Sequence, residues 1–238
     1  MRKMRRVLWA AVALFLLPAL LIGCGAVTPL PTSPPMVRVV IQLNDVFCNG
    51  KQSVWPWQQD KFYMLTTFSA SGPTSTSAVV TQSGLSTPVS IGNSQDLAIP
   101  PEPLVVFNAL LPLDGTLRGG FTAFNGGVSD NQIAQFATWV FTIAKQVGDQ
   151  LKNDAIDSEN LPLEEGATIL SLGSQAFLAL LGESNNPTQL GKQAIEITAN
   201  GSQTDQETLS FVQNSGPGST WNYVIHYTIT RTFTASSH

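Results

Sequence analysis

Near the C-terminal end, Trp221, Tyr223, Ile225, Tyr227, Ile229, Arg231 and Phe233 alternate without a break with Asn222, Val224, His226, Thr228, Thr230 and Thr232. Only an extended strand sends successive side chains to opposite faces, so the run predicts a long strand with an aromatic core face and a Thr-rich solvated face. The same period of two recurs near the other end, where Val37, Val39, Ile41 and Leu43 alternate with Arg38, Gln42 and Asn44. Phe62, Met64, Thr66 and Phe68 repeat it. Residues 74–88, rich in Ser, Thr and Gly, read as edge strands with turns; 104–111, 116–124, 194–199 and 208–213 add further strands. Gly119 and Gly120 inside one of them predict a bulge or a close packing contact.

Between these strands the period changes to 3.6. Ser129 and Gln132 form a capping-box signal, and Ile133, Phe136, Val140, Ile143 or Ala144, Val147 and Leu151 mark one face of a first helix. After an acidic connection at 154–159, Pro162 suits the first turn of a second helix ending near Gly182. Residues 166–182 carry no charge, and the helix is apolar on more than one face: Ile169, Leu172, Ala176 and Leu180 on one, Leu163, Ala167, Leu170, Phe177 and Leu181 on another. Such a helix packs between the sheet and the first helix, or else meets a partner groove or a membrane. Strands at both ends with helices between predict one domain over 36–238. Its class is mainly β, an antiparallel β-sandwich with an inserted α-helical hairpin at about 130–182.

Upstream of this body, Arg2, Lys3, Arg5 and Arg6 precede a sixteen-residue apolar run over 7–22, closed by Leu21-Ile22-Gly23-Cys24. A basic start, a short apolar run and a small residue before the cut make a secretory signal, not a spanning helix. This one resembles the signal of bacterial lipoproteins. The resemblance implies that residues 1–23 are a signal peptide cleaved between Gly23 and Cys24, and that Cys24 carries diacylglycerol, with at least two acyl chains such as palmitate. A single acyl chain holds a protein only marginally, whereas two or more hold it stably. The expected place is the cell envelope, outside the cytoplasm, on a bacterial membrane. Residues 24–35 contain Pro29, Pro31, Pro34 and Pro35 and read as a tether. In polyproline geometry, at about 3.1 Å per residue, it spans on the order of 30 Å.

Composition fits an exported folded body: 43% of residues are hydrophobic and 12% charged, half the usual charged share. Without the signal's four basic residues, eight Lys and Arg face sixteen Asp and Glu, a formal charge of about −8. Phosphates and anionic headgroups repel such a surface, which argues against nucleic-acid partners and against a polybasic membrane contact. With Cys24 acylated, Cys48 has no partner in the chain. It reads as a small buried hydrophobe at a strand end or as an intermolecular or reactive thiol.

Residues 37–47, Asn49-Gly50 and Asp60-Lys61-Phe62-Tyr63, with the strand at 117–125 and Asp130, resemble the opening strand and loops of a C2-type β-sandwich. The resemblance implies a C2-like fold without its calcium site. A hard cation of this kind needs six to eight oxygens, whereas only Asp60 and Asp130 remain, and Ala123 and Asn125 stand at the Asp-x-Asp positions. Asp45, Asp96 and Asp114 read as turn and strand-end residues.

No motif announces catalysis. His226 and His238 have no partner that sequence identifies, Gly173-Ser174 lacks a nucleophile elbow, and Gly216-Pro217-Gly218 lacks the Lys of a phosphate loop and reads as a hairpin turn. The acidic residues Asp149, Asp154, Asp157, Glu159, Glu164 and Glu165 lack EF-hand spacing and read as a solvated loop. No metal or cofactor is called for. Trp55-Pro56-Trp57 reads either as a plug closing the open end of the sandwich or as a ligand platform. The expected function is a membrane-anchored exported lipoprotein, a non-catalytic binding or envelope-assembly module. Its expected partners are membrane lipid through Cys24 and an unidentified envelope protein or ligand. The alternative is an exported hydrolase or carbohydrate-processing module whose acids pair only in three dimensions.

Overall fold

The computed structural model describes residues 35–52, 55, 57–74, 80–99, 104–157 (backbone alone at 153–157), 166–182, 187–213 and 220–234. The signal, Cys24 and the tether as far as residue 34 lie outside them, as do Pro162 and the turn at 216–218. The described body is mainly β. Ten strands form two antiparallel five-stranded sheets packed face to face, an antiparallel β-sandwich with helices on one side.

The first sheet is built on β1 (Met36–Gly50) and β10 (Trp221–Thr234), with β9 (Gln203–Gln213) beyond β10. Val37, Val39, Ile41 and Leu43 face inward as their alternation predicts, and then the phase changes, because a bulge between Leu43 and Asp45 hands the inner face to Val46 and Cys48. The outer neighbour of β1 changes at the same place. Met36 to Leu43 pairs with β6 (Leu104–Pro112), and Asp45 to Cys48 pairs with β5 (Gln95–Ala98). On β10 the core face runs from Trp221 to Ile229, but Arg231 is half-buried and Phe233 exposed, where the strand outruns the sandwich.

The second sheet centres on β2 (Asp60–Ser71) and β7 (Thr116–Asn125), flanked by β8 (Thr188–Thr198) and by β3 (Val80–Leu85) and β4 (Val89–Ile91). Every residue of β2 except Lys61 is buried. Its inner face, with Phe62, Met64, Phe68 and Ala70, joins the core between the sheets, where Phe68 meets Phe107 and Phe121, and Phe121 meets Tyr227. Its outer face, with Tyr63 and Leu65, lies under helices. These are α1 (Asp130–Ile133), α2 (Phe136–Asp157) and α3 (Gly166–Leu181).

The predicted first helix is therefore broken after Ile133, and its second part runs on through residues expected as an acidic connection. The Ser129 backbone N–H donates to Gln132 Oε1 at 2.9 Å, which is the glutamine half of the expected capping box. Gln132 also donates to Leu181 O at 3.3 Å, tying the start of the hairpin to its end. Phe136 and Trp139 near the start of α2 both meet Phe177 near the end of α3, so the two helices run antiparallel. The positive φ of Gly182 ends α3, and its N–H donates to Leu178 O.

Small residues let α3 lie close on the sheet. A Cβ at Gly173 would sit 2.3 Å from Thr67 Oγ1, and one at Gly166 would sit 2.9 Å from Gly119 O. Ser174 donates to Leu170 O and shares a 3.1 Å hydrogen bond with Thr122, so its buried hydroxyl is satisfied. Gly119 and Gly120 mark close packing, not a bulge. Both have strongly positive φ, their pairing with β2 is unbroken, and a Cβ on either would reach 2.0 to 2.1 Å from a neighbouring carbonyl oxygen.

Phe177 sits at the centre of this outer layer, with ring centroids 5.2 to 6.4 Å from those of Phe124, Tyr63, Trp139 and Phe136. Phe177→Ala is expected to lower unfolding free energy by about 3–5 kcal/mol, the usual cost of emptying a buried phenylalanine site. A urea midpoint equal to wild type would show that the hairpin does not depend on this contact.

Candidate functional site

β1 ends at Gly50, and the chain reaches β2 through residues 51–59, at the end of the sandwich opposite Met36. Lys51 organises this loop. Its side chain is folded inward, and its ammonium donates to Trp55 O at 2.5 Å and to Gln58 O, while its backbone N–H donates to Asn93 Oδ1 at 2.9 Å. A turn bond from Gln58 N to Trp55 O, 3.2 Å, closes the arch. A buried ammonium needs acceptors, and two carbonyls of one short loop supply them, so loop shape and charge satisfaction depend on each other.

The arch leaves both tryptophans in solvent. Trp55 is 55% exposed and Trp57 77%, and their rings stack on each other with centroids 5.1 Å apart and planes at 30°. The expectation that the pair plugs the sandwich is thus corrected. Phe62 stacks on Tyr223 at 4.9 Å, and Trp221 Nε1 donates to Leu190 O across the two sheets, so this end of the core is closed from within.

Beside Trp55 lies an open cleft of about 600 Å³. Its walls carry Gln52, Gln58, Gln59, Asn125 and Thr188, and Gly126 and Gly127, both at positive φ, bound it where β7 ends. Asn125 Nδ2 donates to Gln52 Oε1 at 2.7 Å. Lys61 and Asp60 are the charged residues of the described lining. Asp60 is only 2% exposed; its Oδ2 accepts from Gln52 N at 2.5 Å and from the Tyr223 hydroxyl. A carboxylate held in this way fixes the base of the loop and presents little to an incoming ligand.

Other sequence candidates fall elsewhere. Asp45 is neither a turn nor a strand-end residue: the β1 bulge turns it outward, where it contacts His226 Nδ1 across the β1–β10 pair. The register that joins them depends on a bulge invisible as a motif. Asp96 lies within β5, Asp114 occupies a turn at φ 61°, and Asp130 lies exposed in the first turn of α1. Ser174 is buried within α3. Among the described residues no group of three or more His, Cys, Asp or Glu could hold a metal, and no helix is long and apolar enough to cross a membrane. The residues that sequence reading missed are the amides Gln52, Gln58 and Gln59, which have no motif spacing and meet Asn125 only because β1 and β7 end and β2 begins at one end.

No protein-family model matches the chain, and no curated protein is significantly similar to it. Beneath the loop, Cys48 is buried, and burial together with the nearby Asp60 carboxylate pushes its thiol up to about 11, against a smaller opposing effect of Lys51. Burial and Glu207 push Tyr227 up to about 12; burial also raises Tyr223, helped by its bond to Asp60. These acids stay protonated in the folded chain while their unfolded counterparts ionise from about pH 9 upward, so their contribution is complete below that pH and falls as pH rises toward 12. Urea midpoints are expected to decline above pH 9. Cys48→Ala removes the earliest part of that decline and leaves the tyrosine-linked part above pH 10; an onset unchanged in the variant would disprove the Cys48 linkage.

Proposed function

We propose that the protein is an exported lipoprotein, held to a bacterial membrane through acylated Cys24, whose β-sandwich serves as a non-catalytic binding module of the cell envelope. The complete Leu21-Ile22-Gly23-Cys24 signal supports the address. The single observation that carries the binding reading is the exposed, stacked Trp55–Trp57 pair on a braced loop beside an amide-lined cleft. A soluble body gains nothing by leaving two indoles in water, whereas aromatic surface of this kind is what binding sites concentrate.

The same cleft weighs against the hydrolase alternative. Glycoside hydrolysis uses two carboxyl groups about 5 to 9 Å apart across the scissile bond. Asp60 is the sole carboxylate of the described lining, and it is buried in structural hydrogen bonds. Within the body β1 runs from Met36 to the start of the Trp loop, and fifteen residues at about 3.3 Å each separate the two by on the order of 50 Å.

Labelled palmitate incorporation in a bacterial host tests the address. The wild-type chain is expected to take up label and fractionate with membranes, and Cys24→Ser to take up none and lose membrane retention, because only a thiol forms the thioether to lipid. Equal labelling of both would place the lipid elsewhere or nowhere.

A further inference from the structure

We propose that the cleft beside Trp55 and Trp57 is a saccharide site that takes a neutral polysaccharide chain. The inference rests on the binding reading above and is independent of the lipid anchor.

Three properties of the cleft select this chemistry. The first is the indole pair at its rim, with Trp55 in the lining and Trp57 stacked on Trp55. A pyranose ring presents a face of C–H bonds, weakly positive, which fits the negative face of an aromatic ring, and the exposure of Trp57 and Trp55 leaves indole surface open for it. Two stacked rings 5.1 Å apart also make one another's orientation definite. The second is the amide wall. Each amide side chain carries two N–H donors and a carbonyl with two lone pairs, so a single bond such as Asn125 to Gln52 uses a fraction of its capacity. Sugar hydroxyls donate and accept in turn, and Gln52, Gln59, Asn125 and Thr188 match that dual character. Apolar pockets for drug-like ligands are lined the other way round, mainly by hydrophobic side chains.

The third property is charge. Lys61 is the single cation in the described lining, Lys51 is folded under the loop on two carbonyls, and the acidic body repels polyanions. Phosphorylated or acidic glycans are therefore disfavoured against neutral ones. A proline-rich peptide also packs on aromatic rings, but it needs apolar grooves to seat its pyrrolidines, and the walls here are amides. The loop brings its own order: Lys51 fixes the carbonyls of Trp55 and Gln58, so less freedom is lost when a ligand arrives.

The test uses the full chain in a zwitterionic detergent without a sugar headgroup. Hexasaccharides of cellulose, chitin and amylose are titrated against intrinsic fluorescence, and the three insoluble polymers are used in pelleting assays. Of the five tryptophans Trp9 belongs to the signal and Trp139 and Trp221 are buried, and the Trp57 variant assigns any response to the exposed pair. At least one saccharide is expected to give a saturable response, weakened tenfold or more in Trp57→Ala and severalfold in Gln59→Ala, with the melting midpoint of both variants unchanged. A response that survives Trp57→Ala overturns the site. A Trp57-dependent response to a proline-rich decapeptide, with all saccharides silent, overturns the saccharide class and leaves a binding module standing. Silence toward saccharides and peptide alike overturns both readings.

Discussion

Away from Lys61, Arg118 and the strand ends, both faces of the β2–β7 pair are dry, and the rest of the body follows from that. A two-sheet sandwich normally leaves its outer faces to water, so strands alternate apolar and polar residues. Here β2 carries Tyr63 and Leu65 outward, next to Phe124 of β7, and exposing them would leave an aromatic patch in solvent. The helices remove it, but a helix must lie close to seal a sheet. Gly173 over Thr67 and Gly166 over Gly119 supply the closeness, and Ser174 with Thr122 supplies the hydrogen bond that lets a polar pair be buried there. Once α3 is seated, Phe177 brings Phe136 and Trp139 of α2 down beside it.

How far this was legible in the sequence depended on how much of each residue's environment came from its own strand or helix. The alternation of β10 as far as Ile229 and of the first half of β1 gave their core faces correctly, because one face of each meets the core and the other meets water; Arg231 and Phe233 fall past the end of that core. The second half of β1 escaped the pattern because the bulge at Leu43/Asp45 inverts its phase, and that same inversion created the Asp45–His226 contact. β4 and β5 are three and four residues long and carry too little pattern to register. β8 and β9 proved longer than expected, since as edge strands their early residues are exposed and polar. The helix stripe was right at Phe136, Ile143, Val147 and Leu151 but lacked Trp139, whose burial depends on Phe177 across the hairpin. At the candidate site, the Trp pair was visible as residues but not as a surface. Whether such a pair faces core or solvent was decided by Lys51 and by Trp221 and Tyr223, which come from distant positions.

The sandwich also manages its four edges, and does so with glutamine. At one seam Gln82 of β3 donates to Asn108 O at 3.0 Å and accepts from Asn108 N at 2.9 Å, so its side-chain amide imitates a neighbouring strand for β6. At the other, Gln193 of β8 donates to Ser210 O of β9 at 3.0 Å. Unpaired edges are templates for unwanted pairing. An amide side chain satisfies edge groups without the charge that lysine would bring, which suits a chain with so few charged residues.

These constraints give the body two dissimilar ends. The end at Met36 is made of tight connections, with Leu113 N bonded to Pro35 O and Asp114 N to Ala199 O, and it accepts the incoming chain. The opposite end gathers the longer loop at 51–59, the paired glycines after β7 and the start of β8, and it is there that neutral polar side chains and the two indoles accumulate. The separation has a physical cause. A loop that must hold exposed aromatic rings in place needs a buried brace, and the floor formed where β1 ends and β2 and β10 begin supplies one. Asp60, Tyr223 and Gln52 interlock there while Lys51 reaches back to the carbonyls above. The core that makes the sandwich stable therefore extends upward into a surface whose composition stability does not explain.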